Sequence, residues 1–389
     1  MDAQSCQLAT QAKEPRPSLK LLLDARKLGD GGIGVYLENL ICGLLDGGDI
    51  EITLLSRPGA DESFSRAQEV AWLFDASPCY SLDELLFLGR RIEFSRYDIF
   101  HTPHYVLPIG VAIPSVVTVH DLIHIEQPER FFYPWVSRRL IRSSVARADR
   151  VLAVSGATRR AVLDLTGVDG AKVLHVPNAV APFLKGPSSV LDLPTEVQGA
   201  GSFFLSVLSN LKPHKAPRDL LLAFRNFRRD TLWRRVAATC PKLVIAGYGA
   251  AEFSQSRELS RLAEEIGDVV VVGAVSPSQL SALYAKAAAL VVPSRLEGFC
   301  LPALEAQSRG TPVVCRPIAA LQELLTERDT AAADVSIDAL AAAMRTGLEC
   351  GAAHGRQPMA GHLERYSTRR VADEVRAVYE DALRSRGAR

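Results

Sequence analysis

The 389-residue sequence predicts an α/β protein of two doubly wound domains facing each other across a cleft. Three observations predict it. Short apolar runs alternate with longer stretches of helical spacing, the pattern of βαβ units and a parallel sheet. The alternation stops in a Pro- and Gly-rich stretch between Pro177 and Gly201, then restarts. Glycine turns follow apolar runs in both halves, at the strand ends where such sheets place their ligand crevices.

Taken in order, Leu19–Leu23 reads as a strand that ends in the turn Gly29–Gly34. Val35–Leu45 follows with Leu37, Leu40, Ile41 and Leu44 at helical spacing, and Ile50–Leu55 is the next strand. Further strands are expected at Ile99–His101, Ser115–Val119, Arg150–Val154 and Lys172–Val176, with helices at Pro134–Ala146 and Thr158–Leu165. The prolines 177, 182, 187 and 194 and the glycines 186, 199 and 201 mark a linker and the entry to a second domain. There Phe203–Leu208, Leu243–Ala246, Val269–Val272, Leu290–Val292 and Pro312–Cys315 read as strands. Pro217–Phe227, Glu258–Glu265, Pro277–Lys286 and Pro302–Ser308 read as helices between them. The expected division is 1–185, 186–365 and a final segment 366–389. The last segment, helical over about Thr368–Ser385, is expected to pack back on the first domain.

Composition bounds the function. A net charge of +1 gives no global field for nucleic acid, so no nucleic-acid partner is expected. Seven cysteines (Cys6, Cys42, Cys79, Cys240, Cys300, Cys315, Cys350) are scattered without a C-x-x-C pair. That argues against a zinc site or disulfide framework and for a reducing, cytoplasmic compartment. Met1 to Lys20 is polar and lacks the apolar core of a signal peptide, and the longest apolar runs are far short of a membrane span. Any contact with a membrane is therefore expected at its surface.

Five features carry chemistry. Gly29-Asp30-Gly31-Gly32-Ile33-Gly34 follows a strand and opens a helix. Gly32 and Gly34 let a ligand approach the backbone, and the helix N-terminus offers free N–H groups to an anion. Gly247-Tyr248-Gly249 is a second, weaker turn of this kind, equally well read as structural. Ser294 to Glu305 (S-R-L-E-G-F-C-L-P-A-L-E) is the most specific stretch. A strand ends, a loop carries Glu297, and Pro302 opens a helix at a position that favours proline. Glu297 can accept hydrogen bonds from sugar hydroxyls, while Glu305, near the helix N-terminus, can take a ribose diol. Asn210-Leu211-Lys212-Pro213-His214-Lys215 offers cations that would stabilise a leaving diphosphate more in the transition state than in the ground state. His120-Asp121 ends the strand Ser115–Val119 and points into the crevice. His120 and His124, four apart, resemble a metal pair without a third ligand, as does His101-Thr102-Pro103-His104. Core or hinge packing is the plainer reading of these histidines.

With these features in this order, the chain resembles the retaining glycosyltransferase family 4, of GT-B architecture with two Rossmann-like domains. The resemblance runs from about Leu19 to Tyr379 and is most specific at the E-x7-E pair Glu297 and Glu305, within V-V-P-S-R-L-E-G-F-C-L-P-A-L-E-A and before G-T-P-V-V. The stretches V-V-T-V-H-D-L, A-D-R-V-L-A-V-S and N-L-K-P-H-K are most similar to the mannosyltransferase-like branch acting on surface polysaccharides. The resemblance implies a nucleotide-sugar donor, with GDP-mannose leading, and a saccharide or lipid-linked acceptor. It implies catalytic roles for His120, Lys215 and Glu297. Donor contacts would come from Gly32, Gly34, Asn210, Lys212, Gly247, Gly298, Phe299, Cys300, Leu301 and Glu305. Asp121 and Ser155 would line the cleft. No metal and no cofactor beyond the donor are implied, in keeping with the absence of a D-x-D triplet. The chain departs from the pattern twice: Asn210 stands where many members have arginine, and Cys300 where glycine is common.

Other readings make distinct demands. An NAD-dependent oxidoreductase needs a complete G-x-G-x-x-G, and Leu37 and Glu252 stand where the last glycines would be. A nucleotide-sugar epimerase or glycoside phosphorylase on the same fold, and a catalytically silent nucleotide-sugar-binding module, are the remaining alternatives. Finally, Phe131-Phe132-Tyr133-Pro134-Trp135 precedes Arg138, Arg139, Arg142, Arg147 and Arg150. An ordinary amphipathic helix leading into a strand is the simpler reading, and contact with anionic lipid is the alternative.

Overall fold

The computed structural model describes residues 18–387 apart from Ser63, Pro182, Phe183, residues 185–188, Val236, Ala238, Tyr248, Gly355 and Arg356. Cys6, the N-terminal polar stretch through residue 17, Tyr248, and Pro182, Gly186 and Pro187 of the expected linker lie outside the described residues.

Two parallel sheets form the molecule. The first contains β1 (Leu19–Asp24), β2 (Ile50–Ser56), β3 (Ala71–Phe74), β4 (Ile99–Thr102), β5 (Ser115–Val119), β6 (Arg150–Ala153) and β7 (Val173–His175) in the order β3-β2-β1-β4-β5-β6-β7. The second contains β8 (Phe203–Val207), β9 (Lys242–Ala246), β10 (Val269–Val271), β11 (Ala289–Val292), β12 (Val313–Cys315) and β13 (Thr330–Ala331) in the order β10-β9-β8-β11-β12-β13. Strand order reverses between β1 and β4 in one sheet and between β8 and β11 in the other. Crevices open at such points, beyond the carboxyl ends of the strands. Central strands are buried on both faces, as helices above and below require: all five residues of β5 are inaccessible.

The helices of eight residues or more among the described residues are α1 (Gly31–Gly47), α2 (Tyr133–Arg147), α3 (Gly156–Thr166), α4 (Pro217–Arg229), α5 (Arg257–Ile266), α6 (Pro277–Lys286), α7 (Leu301–Ser308), α8 (Ile337–His354) and α9 (Thr368–Gly387). Local chemistry explains several starts. Ser276 and Gln279 form a reciprocal capping box with Pro277 in the first turn of α6. Ser155 caps α3 by accepting from the Thr158 N–H.

Three boundaries differ from those expected. Helix α1 begins at Gly31, not Val35, so the glycine run is the first turn of the helix itself. A Cβ on Gly34 would sit 2.9 Å from the Gly29 nitrogen, so only glycine lets the turn close. Strands β3 and β13 were not anticipated. Both are short edge strands, and Ala71–Phe74 has neither alternation nor full burial to mark it.

Helix α9 returns from the second lobe to the first. Val371, Val375, Tyr379 and Ala382 are buried with Leu37, Leu40 and Ile41 of α1. The contact is close enough that a Cβ on Gly43 would fall 2.6 Å from the Thr368 carbonyl oxygen.

Candidate active site

Each of the strongest sequence candidates leaves the carboxyl end of a strand beside a crevice. Lys215 follows β8 and Glu297 follows β11, on either side of the second sheet's reversal point. The two loops are tied at the backbone, where the Arg295 N–H donates to the His214 carbonyl at 2.7 Å. Asp219 reinforces the tie by accepting from the guanidinium groups of Arg295 at 2.8 Å and Arg316 at 2.7 Å. So held, the Lys215 ammonium donates to Glu297 Oε1 at 2.7 Å, with both side chains largely buried. Burial opposes the Lys215 charge. The Glu297 carboxylate more than offsets it, and the ammonium titrates above its ordinary value. A fixed cation is therefore present at neutral pH.

The first lobe meets this pair with His120 and Asp121. His120 Nε2 lies 3.0 Å from the Pro103 carbonyl. A carbonyl only accepts, so Nε2 carries the proton and Nδ1 keeps the lone pair of the neutral ring. Burial pushes the imidazole down to about 4, so it stays neutral at pH 7. Burial raises the Asp121 carboxyl, whose Oδ1 accepts from the Ile123 N–H at 2.9 Å. Glu297 and Lys215 both lie within electrostatic reach of Asp121.

Gly298 is where the lobes touch. A Cβ there would lie 1.8 Å from the His120 carbonyl oxygen. The Thr158 hydroxyl, at the start of α3, lies 3.3 Å from the Gly298 carbonyl and 3.4 Å from the His120 carbonyl. Two further contacts cross between the lobes. Glu323 accepts from the N–H groups of Gly156 and Ala157, each at 2.7 Å, at the N-terminus of α3. Lys212 pairs with Glu129 at 2.7 Å.

Glu305 stands in the first turns of α7 and is buried. The Tyr284 hydroxyl donates to its Oε2 at 2.7 Å, which leaves Oε1 for another partner. Burial raises its pKa, and the tyrosine bond holds that rise back. Cys300 precedes α7 with φ +82°, a left-handed conformation natural to glycine. Its thiol is buried and pushed well above its ordinary value by burial and by Glu297. Phe299 and Leu301 are buried in a core cluster that also takes in Val154 of the first lobe, and Phe299 lies edge-on to Tyr366.

The remaining candidates divide. Gly32, exposed with open space around it, lies at the start of α1, whose Asp30 N-cap makes no capping bond. Asn210 is half-buried, and its Oδ1 accepts from the Lys212 N–H in a turn that shapes the lysine loop. Lys212, expected beside the donor, pairs with Glu129 of the first lobe. Ser155, expected in the cleft wall, caps α3 with its side-chain oxygen. Gly247 is held 2.7 Å (from an added Cβ) off the Leu208 carbonyl at φ +108°, a structural need for glycine.

The histidine pairs do not meet as metal ligands. His124 Nδ1 bonds to Tyr105. His101 is buried between the hydroxyls of Tyr379 at 2.7 Å and Thr118 at 2.8 Å. Cys79, Glu84 and His104 do cluster within 4.8 Å of one another. However, the buried Arg26 guanidinium already bonds Glu84 Oε1, which also accepts from His104 at 2.6 Å. A cation thus occupies that place. Sequence reasoning missed Tyr284, Glu323, Thr158 and Glu129, whose roles come from contacts with residues distant in the chain.

The comparisons with known proteins match this chain lobe by lobe. Residues 30–182 match the Glycosyltransferase Family 4 model and residues 196–365 match the Glycosyl transferases group 1 model. A D-inositol 3-phosphate glycosyltransferase of Frankia alni is 30% identical over 69% of this chain and 68% of its own length. The chain belongs to glycosyltransferase family 4. It is also similar to two O-antigen chain mannosyltransferases. Mannosyltransferase B of Escherichia coli is 27% identical over 64% of this chain, a match that spans just 65% of that relative. RfbU of Salmonella typhimurium is 25% identical over 79% of this chain and 84% of the relative. Among solved structures, Anabaena Alr3699/HepE in complex with UDP and glucose superposes with a TM-score of 0.70 at 18% identity, covering 93% of this chain and 100% of that one. Sucrose-phosphate synthase of Thermosynechococcus elongatus superposes with a TM-score of 0.68 at 17% identity, covering 95% and 100%. These likenesses establish the GT-B fold of this glycosyltransferase.

Proposed function

We propose that this family member transfers a hexosyl group, with retention and without a metal ion, from a nucleotide-sugar to a saccharide or lipid-linked saccharide in surface polysaccharide synthesis. Mannose from GDP-mannose is the leading donor, on the likeness to the two O-antigen mannosyltransferases. A cytoplasmic site of action is part of the proposal and draws on seven cysteines scattered without a C-x-x-C pair. The observation that carries the reading is the Lys215–Glu297 pair, 2.7 Å apart at the reversal point of the second sheet and within electrostatic reach of Asp121 of the first lobe.

In this reading, Lys215 leans on the donor's diphosphate as the C1–O bond loosens, and the developing charge meets a cation already fixed in place. Glu297 holds that cation and accepts from the sugar hydroxyls with its second oxygen. His120 Nδ1, a bare acceptor on a neutral ring, takes a hydroxyl proton of the reacting sugar in a hydrogen bond. Glu305 Oε1 receives the ribose diol, its other oxygen being pinned by Tyr284. The leaving phosphate takes the acceptor's proton on the face from which it departs, so the anomeric configuration is kept. Contact at Gly298 excludes water that would otherwise hydrolyse the donor.

A panel of nucleotide sugars tested by thermal shift, followed by product analysis with a chelator present, examines each part. The expected result is stabilisation by GDP-mannose and an α-linked product formed undiminished in chelator. Binding without turnover, an epimerised donor, or chelator-sensitive transfer would each overturn the corresponding clause.

A further inference from the structure

Twelve large hydrophobic side chains are exposed among the described residues, and nine of them lie between Phe74 and Val136, all in the first lobe. The strongest concentration is at the start of α2. Phe131 is 95% exposed, Trp135 71% and Phe132 40%. Helix α2 then presents Arg138, Arg139 and Arg142, which with Trp135 and Ser143 line an open groove of about 500 Å³. No acidic residue occurs from Arg130 through Ala148 in a chain whose net charge is only +1. The apolar tip and the arginines are therefore a local arrangement, not a sample of the whole surface.

This face is joined to the cleft by a run of rings. Phe131 meets Phe132 at 5.6 Å, Phe132 meets Tyr133 at 5.0 Å, and Tyr133 meets His124 at 5.6 Å. His124 meets Tyr105 at 6.2 Å, and Tyr105 meets Tyr80 at 4.9 Å. Asp121 lies within electrostatic reach of both Tyr80 and Tyr105. The tip of α2 and the surroundings of Asp121 thus belong to one packed run of rings.

We propose that the Phe131–Ser143 face docks on an anionic lipid bilayer, the aromatic rings entering the interface and the three arginines meeting lipid phosphates. Charge chooses this occupant: exposed aromatics beside an unbroken cationic stripe match a surface that is apolar beneath and negative at the headgroups. An apolar partner protein would match the rings and leave the arginines without counter-charges. The inference stands apart from the donor and acceptor assignments and can fail while they hold.

The test uses the full-length protein in sedimentation with vesicles of phosphatidylcholine alone or mixed equally with phosphatidylglycerol. The protein is expected to pellet with the mixed vesicles, to remain in solution with the neutral ones, and to be released by high salt. The triple variant R138E/R139E/R142E is expected to lower partition on the order of a hundredfold or more, from the loss of three headgroup contacts. The F131S/W135S variant is expected to lose most binding while keeping its charge. Far-UV circular dichroism and a melting temperature close to the parent's verify the fold of both variants. Failure to pellet with anionic vesicles, or pelleting unchanged in both variants, overturns the proposal. So does a wild-type dimer in ultracentrifugation without lipid that both variants convert to monomer, because the face then belongs to a second copy.

Discussion

Gly298 and His120 meet so closely that a single methyl group between them would lie 1.8 Å from the His120 carbonyl oxygen. The contact joins the loop bearing Glu297 to the strand end bearing the imidazole, and it leaves no slack. Gly298→Ala is expected to hold the lobes apart by about the width of that methyl. Transfer should fall on the order of a hundredfold, since displacing reacting groups by about 1 Å has that effect. Donor affinity should change less, because Lys215, Glu297 and Glu305, the residues proposed to hold the diphosphate, sugar and ribose, all belong to the second lobe and keep their places. Steady-state kinetics beside calorimetric donor binding separates the two, and a Gly298→Ala enzyme with ordinary kcat would show that the lobes need not touch.

Lys215→Ala removes the cation but leaves Glu297. The expected loss is in kcat, about a hundred- to a thousandfold by analogy with single groups that stabilise transition-state charge. Lys215→Arg should recover part of it. An unchanged kcat would take the diphosphate role away from Lys215.

Cys300 holds φ +82° without the freedom of glycine. Cys300→Gly and Cys300→Ala both remove the buried sulfur, but only glycine relieves the backbone. The glycine variant is therefore expected to be the more stable of the two by about 1 kcal/mol. Urea denaturation measures the difference, and equal stabilities would mean that the turn costs nothing.

His120 titrates near 4 in the fold against an ordinary 6.5. Below pH 6.5 the unfolded chain binds a proton that the native imidazole refuses, so stability falls as pH drops from about 6.5 to about 4 and then levels. The buried carboxyls of Glu305 and Asp121, raised in the fold, act in the opposite direction. The diagnostic is therefore a difference: His120→Asn should flatten the acid slope relative to the parent in urea titrations at pH 7 and pH 4.5. Parallel slopes would place His120 in a wetter setting than the cleft provides.

Much of this was legible in residue order. The doubly wound pattern and the pairing of Glu297 with Glu305 depend on local spacing, which a sequence displays directly. Lys215 was legible as a cation after a strand, although its partnership with Glu297, 82 positions away, was not. The hidden parts are those made by folding alone. Nothing around Tyr284 announces that its hydroxyl will meet Glu305, and nothing around Glu323 announces a helix start 167 positions earlier. Edge strands β3 and β13 were invisible because two to four residues carry no periodicity. The partners of Lys212 and Ser155 were hidden in the same way: the Glu129 carboxylate and the Thr158 N–H meet them only in the folded chain.

The return of α9 to the first lobe bears on how the chain is made. Val375, Tyr379 and Ala382 complete a core whose other members leave the ribosome hundreds of residues earlier. The half synthesised first must therefore wait, with one flank of α1 uncovered, until the half synthesised last has crossed over to seal it. A premature stop near residue 366 would spare every residue assigned to chemistry and still leave a protein whose opening domain had never closed.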